Sequence, residues 1–150
     1  MRRIRLAAFV WPALTLGGCA PSGPVPAIEN VQVLNGGSEI SRTKNFTTRQ
    51  GTSVRAGFAY AENPDCSEIP GATGRVVSPP SGGEVTIERG LDFPEYPPGS
   101  PRENCNMKKG FGLVTTYRPR PDFVGADHFS FEIFLPGGKA YHNDVNVTVE

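Results

Sequence analysis

The stretch FSFEIFL, residues 129–135, limits what this chain can fold into more than any other. Phe129, Phe131, Ile133 and Leu135 fall on every second position, with Ser130, Glu132 and Phe134 between them. A period of two places the first set on one face of a β-strand and the second set on the other. The last residues repeat the pattern, with Val145, Val147 and Val149 alternating against Asn146, Thr148 and Glu150. PGGK, residues 136–139, punctuates the two and reads as a turn. A strand pair with one apolar face is stable only if a second layer covers that face.

The remaining sequence supplies that layer in short pieces. With 18 Gly and 15 Pro in 150 residues, the chain is richer in punctuation than average. No mature stretch repeats apolar residues at helical spacing over three turns. Residues 31–34 read as a first strand, turned at Gly36-Gly37. SEISRTKNFTT reads as a polar or edge strand. In SVRAGFAY, Val54, Ala56, Phe58 and Tyr60 share a side. RVVSPPSGGEVTIERG reads as a hairpin in which Val85 and Ile87 face one way. FGLVTTY resumes the sheet after an irregular stretch from Gly90 to Lys109. The expectation is one all-β domain over residues 31–150, an antiparallel sandwich of about seven strands.

The N-terminus is an address rather than structure. MRRIRLAAFVWPALTLGG has a basic start and an apolar run from Leu6 to Leu16, too short for the roughly 20 residues that span a bilayer. It ends Leu16-Gly17-Gly18-Cys19, which resembles the bacterial lipobox. That resemblance implies cleavage after residue 18 and attachment of palmitate-type acyl chains at Cys19. Two or three chains hold a protein to a membrane far more firmly than one. Residues 19–30, with three Pro after Cys19, read as a tether between lipid and domain. Ala20, with no Asp after the Cys, favours the outer membrane by resemblance to enterobacterial sorting.

Of three cysteines, Cys66 and Cys105 then remain in an exported chain, and an even remainder in an oxidising compartment implies a disulfide. Metal binding is the weakest reading, because there is no CxxC and only two His, His128 and His142. Free thiols stand between the two. Formal net charge is zero, but Arg2, Arg3 and Arg5 belong to the leader, so the mature part is left acidic by three. That balance does not suit a nucleic-acid partner. The acid-free basic stretch from Arg42 to Arg55 reads as a solvated pair of edge strands, with a face for an anionic polymer as the alternative.

The closing segment carries a second resemblance. Tyr117-x-Pro119, then Phe123-x-Gly125-x-Asp127-x-Phe129-x-Phe131, a turn and a VxVxV strand, resembles the bacterial immunoglobulin-like or cadherin-like repeat. Phe131 stands where that family usually has Tyr, and the stretch between Cys66 and Cys105 is longer than in a minimal repeat. The resemblance implies an immunoglobulin-like sandwich. It makes these residues scaffolding: Gly125 in a positive-φ turn, Asp127 accepting backbone N–H groups in that turn, Tyr117 bonding back to backbone, and Phe129 and Phe131 in the core.

Candidate sites are few. Asp127, His128 and Ser130 lie close in sequence, but nothing orients His128 as a base toward a nucleophile, so no catalytic residue is assigned and the chain reads as a non-enzyme. No cofactor is implied. Asp122, Asp127 and Asp144 are calcium candidates by analogy with cadherin-like domains, though no DxDxD run is present and calcium needs six to eight oxygens. Phe93, Tyr96, Lys108 and Lys109 lie on the long loop and are the binding candidates, since loops carry function more often than sheets do. The expectation is a lipid-anchored structural or interaction domain of the bacterial cell envelope. Its partners would be the membrane, through Cys19, and an envelope protein or polysaccharide. The alternative is a surface adhesion module that uses residues 91–109.

Overall fold

A computed structural model of the chain describes residues 27–34 and 39–150. The leader, Cys19, the first part of the tether and the Gly36-Gly37 turn lie outside the described residues. Eight strands follow in order: β1 (Ala27–Leu34), β2 (Glu39–Thr48), β3 (Val54–Ala59), β4 (Thr73–Ser78), β5 (Gly83–Asp92), β6 (Gly110–Pro119), β7 (Gly125–Leu135) and β8 (Lys139–Val149). They form a five-stranded sheet in the order β1-β2-β8-β7-β4 and a three-stranded sheet in the order β3-β6-β5. Strand partners are antiparallel except β2 and β8, which run parallel from Glu39 opposite Ala140 to Thr48 opposite Val149. The β3-β6-β5 sheet and the β8-β7-β4 run reproduce the two sheets of an immunoglobulin sandwich, with β2 laid along β8 and β1 added outside it.

The core lies where the alternation places it. Phe129, Phe131, Ile133, Val145, Val147 and Val149 are buried, together with Tyr117, Phe46, Val54 and Ala56. The rings of Tyr117 and Phe129 stack at 5.5 Å, and Phe131 continues the stack at 6.2 Å. Val85 and Ile87 pack against this core from β5.

Several sequence expectations change. The first strand starts at Ala27, four residues earlier than expected, inside the stretch read as tether. The SEISRTKNFTT strand is not an edge, because β1 and β8 flank it. The strand is polar as expected, but its inward positions, Lys44, Phe46 and Thr48, are buried. Lys44 is only 9% exposed, and its Nζ donates to the Ala56 carbonyl at 2.9 Å. The stretch 42–55 is therefore not a solvated pair of edges. In β3 a bulge between Arg55 and Gly57 shifts the alternation. Ala59 takes the core-packed position, and the Phe58 ring packs at a tilt against Tyr60 instead. β4 and β5 do not form a hairpin. They belong to different sheets, and Pro79-Pro80 carries the chain across.

Connections β3–β4 (60–72), β5–β6 (93–109) and β7–β8 (136–138) gather at one end of the sandwich, where Cys66 and Cys105 are joined. The connections β2–β3, β4–β5 and β6–β7 form the other end. Ala27 pairs with Asn45 near the finish of β2, so the described chain begins at this second end.

Candidate functional site

The second end is closed by a single carboxylate. Asp127 is 6% exposed and follows Gly125, whose φ of +121° a side chain rarely adopts. Oδ1 accepts from the Ser81 N–H at 2.9 Å, the Ser81 hydroxyl at 3.1 Å and the His128 N–H at 3.0 Å. Oδ2 accepts from the Gly82 N–H at 2.9 Å and the Tyr117 hydroxyl at 2.8 Å. Burial alone raises the carboxyl pKa, but these donors outweigh it and hold it below the ordinary aspartate value. The same burial, with Asp127 beside it, pushes the Tyr117 hydroxyl well above its usual range. Asp127 thus bonds mainly to the β4–β5 connection, some 46 residues away, rather than to its own turn. Tyr117 bonds to that carboxylate rather than to backbone. Phe123 covers Gly82 so closely that a Cβ there would fall within its ring. Pro119 is fully buried. Each motif residue has a structural contact here.

The three calcium candidates are not brought together. Both Asp127 oxygens are engaged, and the Asp122 side chain is 89% exposed beside Arg120. Asp144 stands mid-strand on β8, with Nε2 of His142 at 3.5 Å and Nε2 of His128 at 3.8 Å. His142 Nδ1 lies 3.5 Å from Glu132, which Arg75 holds at 2.7 Å. That bond from Arg75 is the main reason the Glu132 carboxyl lies below its usual pKa. His142, Asn143 and Asp144 lie within β8, and Asn143 is buried. Among the described residues, no three His, Cys, Asp or Glu side chains are grouped to hold a metal ion.

The first end is built around the disulfide. Cys66 and Cys105 are bonded with Cα atoms 5.4 Å apart and a sequence separation of 39. Cys66 sits at φ +67°, a left-handed conformation. Asp65 helps hold the turn there by accepting from the Ser67 N–H at 3.0 Å and its hydroxyl at 2.6 Å. Cys105 is fully buried in a short 3-10 helix, Glu103–Met107. Asn106 clamps Tyr96 through both its backbone N–H and C=O, each at 2.9 Å. Tyr96 packs edge-on against Tyr60 with ring centroids 5.1 Å apart.

Beneath this loop Glu62 is 3% exposed, with one oxygen lacking a partner. Burial raises its carboxyl pKa, against a hydrogen bond with Tyr96 and the charge of Arg102. Burial likewise pushes the Tyr96 hydroxyl up to about 12, with Glu62 adding to it. Arg102 also donates to the Glu62 carbonyl at 2.5 Å.

Of the four loop candidates, Tyr96 is structural. Phe93 is 46% exposed, with the Lys109 ammonium 5.5 Å above its ring, and Lys108 is exposed beside them. Sequence reasoning missed Leu91 and Phe111, which are directly paired across β5 and β6 and are 52% and 43% exposed. An inward-looking parity in GLDF and KGFGL is the signal that was available. Sequence reasoning also missed Glu62 and Arg102, for which it gave no signal. A cleft of about 140 Å³ lies beside Phe111, lined by Ile69, Ala72 and Leu113 and crossed by the Arg89–Glu68 ion pair at 2.6 Å.

No protein-family model matches the chain, and no curated protein does. Among solved structures, the solution structure of amebosin is similar over 73% of this chain and 96% of its own. Its identity is 16% and its TM-score 0.41, too low to carry an argument.

Proposed function

We propose that the chain is a lipid-anchored, non-catalytic immunoglobulin-like domain of the bacterial cell envelope, and that it acts by binding through its disulfide-pinned end. The observation that carries this reading is directional. The described chain starts at Ala27, at the end of the sandwich opposite the Cys66–Cys105 loops. Eight residues from Cys19 to Ala27 reach at most about 29 Å. A ten-residue strand such as β2 spans about 33 Å. An anchor on Cys19 would therefore hold the loop end away from its own bilayer, where it meets other envelope components.

The structural occupation of Asp127 and Tyr117 supports a non-catalytic reading of the segment in which Asp127 precedes His128. The adhesion reading, in which residues 91–109 bind a protein or polysaccharide, is favoured by the exposure of Phe93 beside Lys109.

Fractionation of cells carrying the full chain and a Cys19→Ser variant tests the anchoring. The wild-type chain is expected in the membrane fraction and released by detergent, and the variant in the soluble fraction. Equal partitioning of both would overturn the anchored reading.

A further inference from the structure

The β5–β6 ribbon runs past the rest of its sheet. β3 pairs with β6 only as far as Leu113, whereas β5 continues to pair through Phe111 and Gly110. On this overhang Arg89 stands opposite Leu113 and Leu91 opposite Phe111, and Phe93 and Lys109 follow just beyond the last pair, Asp92 with Gly110. Arg89 and Leu91 keep the parity that points Val85 and Ile87 into the core. Here the core has ended, and Leu91, Phe93 and Phe111 are left 43–52% exposed side by side. Exposed apolar side chains scattered singly need no explanation, but a contiguous set on one sheet face does.

Of the two cations on the patch, Arg89 is already held by Glu68, whereas Lys109 has no ion-pair partner among the described residues. The Arg89 guanidinium lies 4.5 Å over the Phe111 ring and the Lys109 ammonium 5.5 Å over the Phe93 ring. The neighbouring acids are paired: Glu68 with Arg89, and Asp92 and Glu95 with Arg55. We propose that this ribbon face is the docking site for a protein segment whose apolar side chains are flanked by carboxylates. The proposal deepens the binding role given above and rests on it.

Three alternatives fit the geometry less well. A sugar stacks on an open ring face, and here cations occupy the faces of both phenylalanines. A second copy docked on the same face would bring the unpaired Lys109 ammonium of each chain into one interface, with no carboxylate of the patch free to meet it. The anchoring bilayer lies at the opposite end of the sandwich if Cys19 holds the lipid.

The test is photo-crosslinking in native cells, with a photoreactive phenylalanine analogue placed at Phe93, at Phe111 and, as a control, at Thr86 on the other face of β5. The proposal predicts an adduct at the first two positions and none at Thr86, joined to a protein segment that sequencing shows to be apolar and acidic. Lys109→Glu should cut the adduct yield about tenfold, since charge reversal replaces attraction by repulsion, while thermal melting stays within a few degrees of wild type. Adducts only to glycan, lipid or another copy of the chain would overturn the proposal, as would no adduct at either position. Membrane partitioning measured on the same samples separates failure of the anchor from failure of the patch.

Discussion

Replacement of Asp127 by Ala removes the acceptor for five donors at once. The Ser81 N–H and hydroxyl lie on an exposed residue and regain water. The Gly82 N–H and the Tyr117 hydroxyl belong to buried residues and do not. Each buried donor left unmet costs about 1–3 kcal/mol, so Asp127→Ala should destabilise the domain by about 4 kcal/mol. That corresponds to a fall in Tm of about 15 °C for a domain of this size. Asp127→Asn keeps one acceptor oxygen and should cost about half as much.

The pH dependence gives an independent reading. The folded-state pKa of Asp127 is depressed, so its contribution is complete above the unfolded value near 4 and is lost as pH falls through the lower folded value. Urea titrations at pH 7 and at pH 3 measure this directly. Wild type should lose stability between the two, and Asp127→Asn should lose less. A cost below about 1 kcal/mol for Asp127→Ala, or an unchanged acid slope in Asp127→Asn, would refute the assignment of this carboxylate as the clasp between the β4–β5 connection and β6.

Other perturbations follow from the same contacts. Lys44 has its pKa lowered to about 8 by burial and by nearby Arg42, so the folded state sheds that proton first. Stability should therefore rise between about pH 8 and 10, by up to about 3 kcal/mol, and Lys44→Met should abolish the rise in urea titrations. Removing both Cys66 and Cys105 opens a loop of about 40 residues and should cost about 4 kcal/mol on the chain-entropy model, read as a lower Tm than that of the oxidised protein. Gly82→Ala sets a methyl group into the Phe123 ring and should cost about 1–3 kcal/mol by the same assay.

What the sequence made legible was local. FSFEIFL and VNVTVE carry a period that only a half-buried strand satisfies, and Phe129, Phe131 and the three valines are buried as read. The Cys66–Cys105 bridge was legible by counting, because setting Cys19 aside as the expected lipid site leaves two cysteines. The long-range pairings were not. Asp127 was assigned to its own turn because the Ser81 and Gly82 donors stand 45 residues away, a distance that no local pattern reports.

The inward face of β2 was also hidden. Lys44 is buried only because the Ala56 carbonyl at the β3 bulge meets its amine, and such a bulge leaves no fixed mark in sequence. The hairpin expected around Pro79-Pro80 failed for a similar reason. The turn residues are correct, but they carry the chain between sheets instead of folding it back within one.

An intact mass of the full chain purified from membranes, before and after reduction and alkylation, tests the central claim most directly. A lipid-anchored, stapled envelope domain predicts loss of residues 1–18, a mass increment for acyl chains on Cys19, and two thiols that react only after reduction. A chain retaining its first 18 residues without lipid, with three thiols open to alkylation, would contradict both the anchor and the staple.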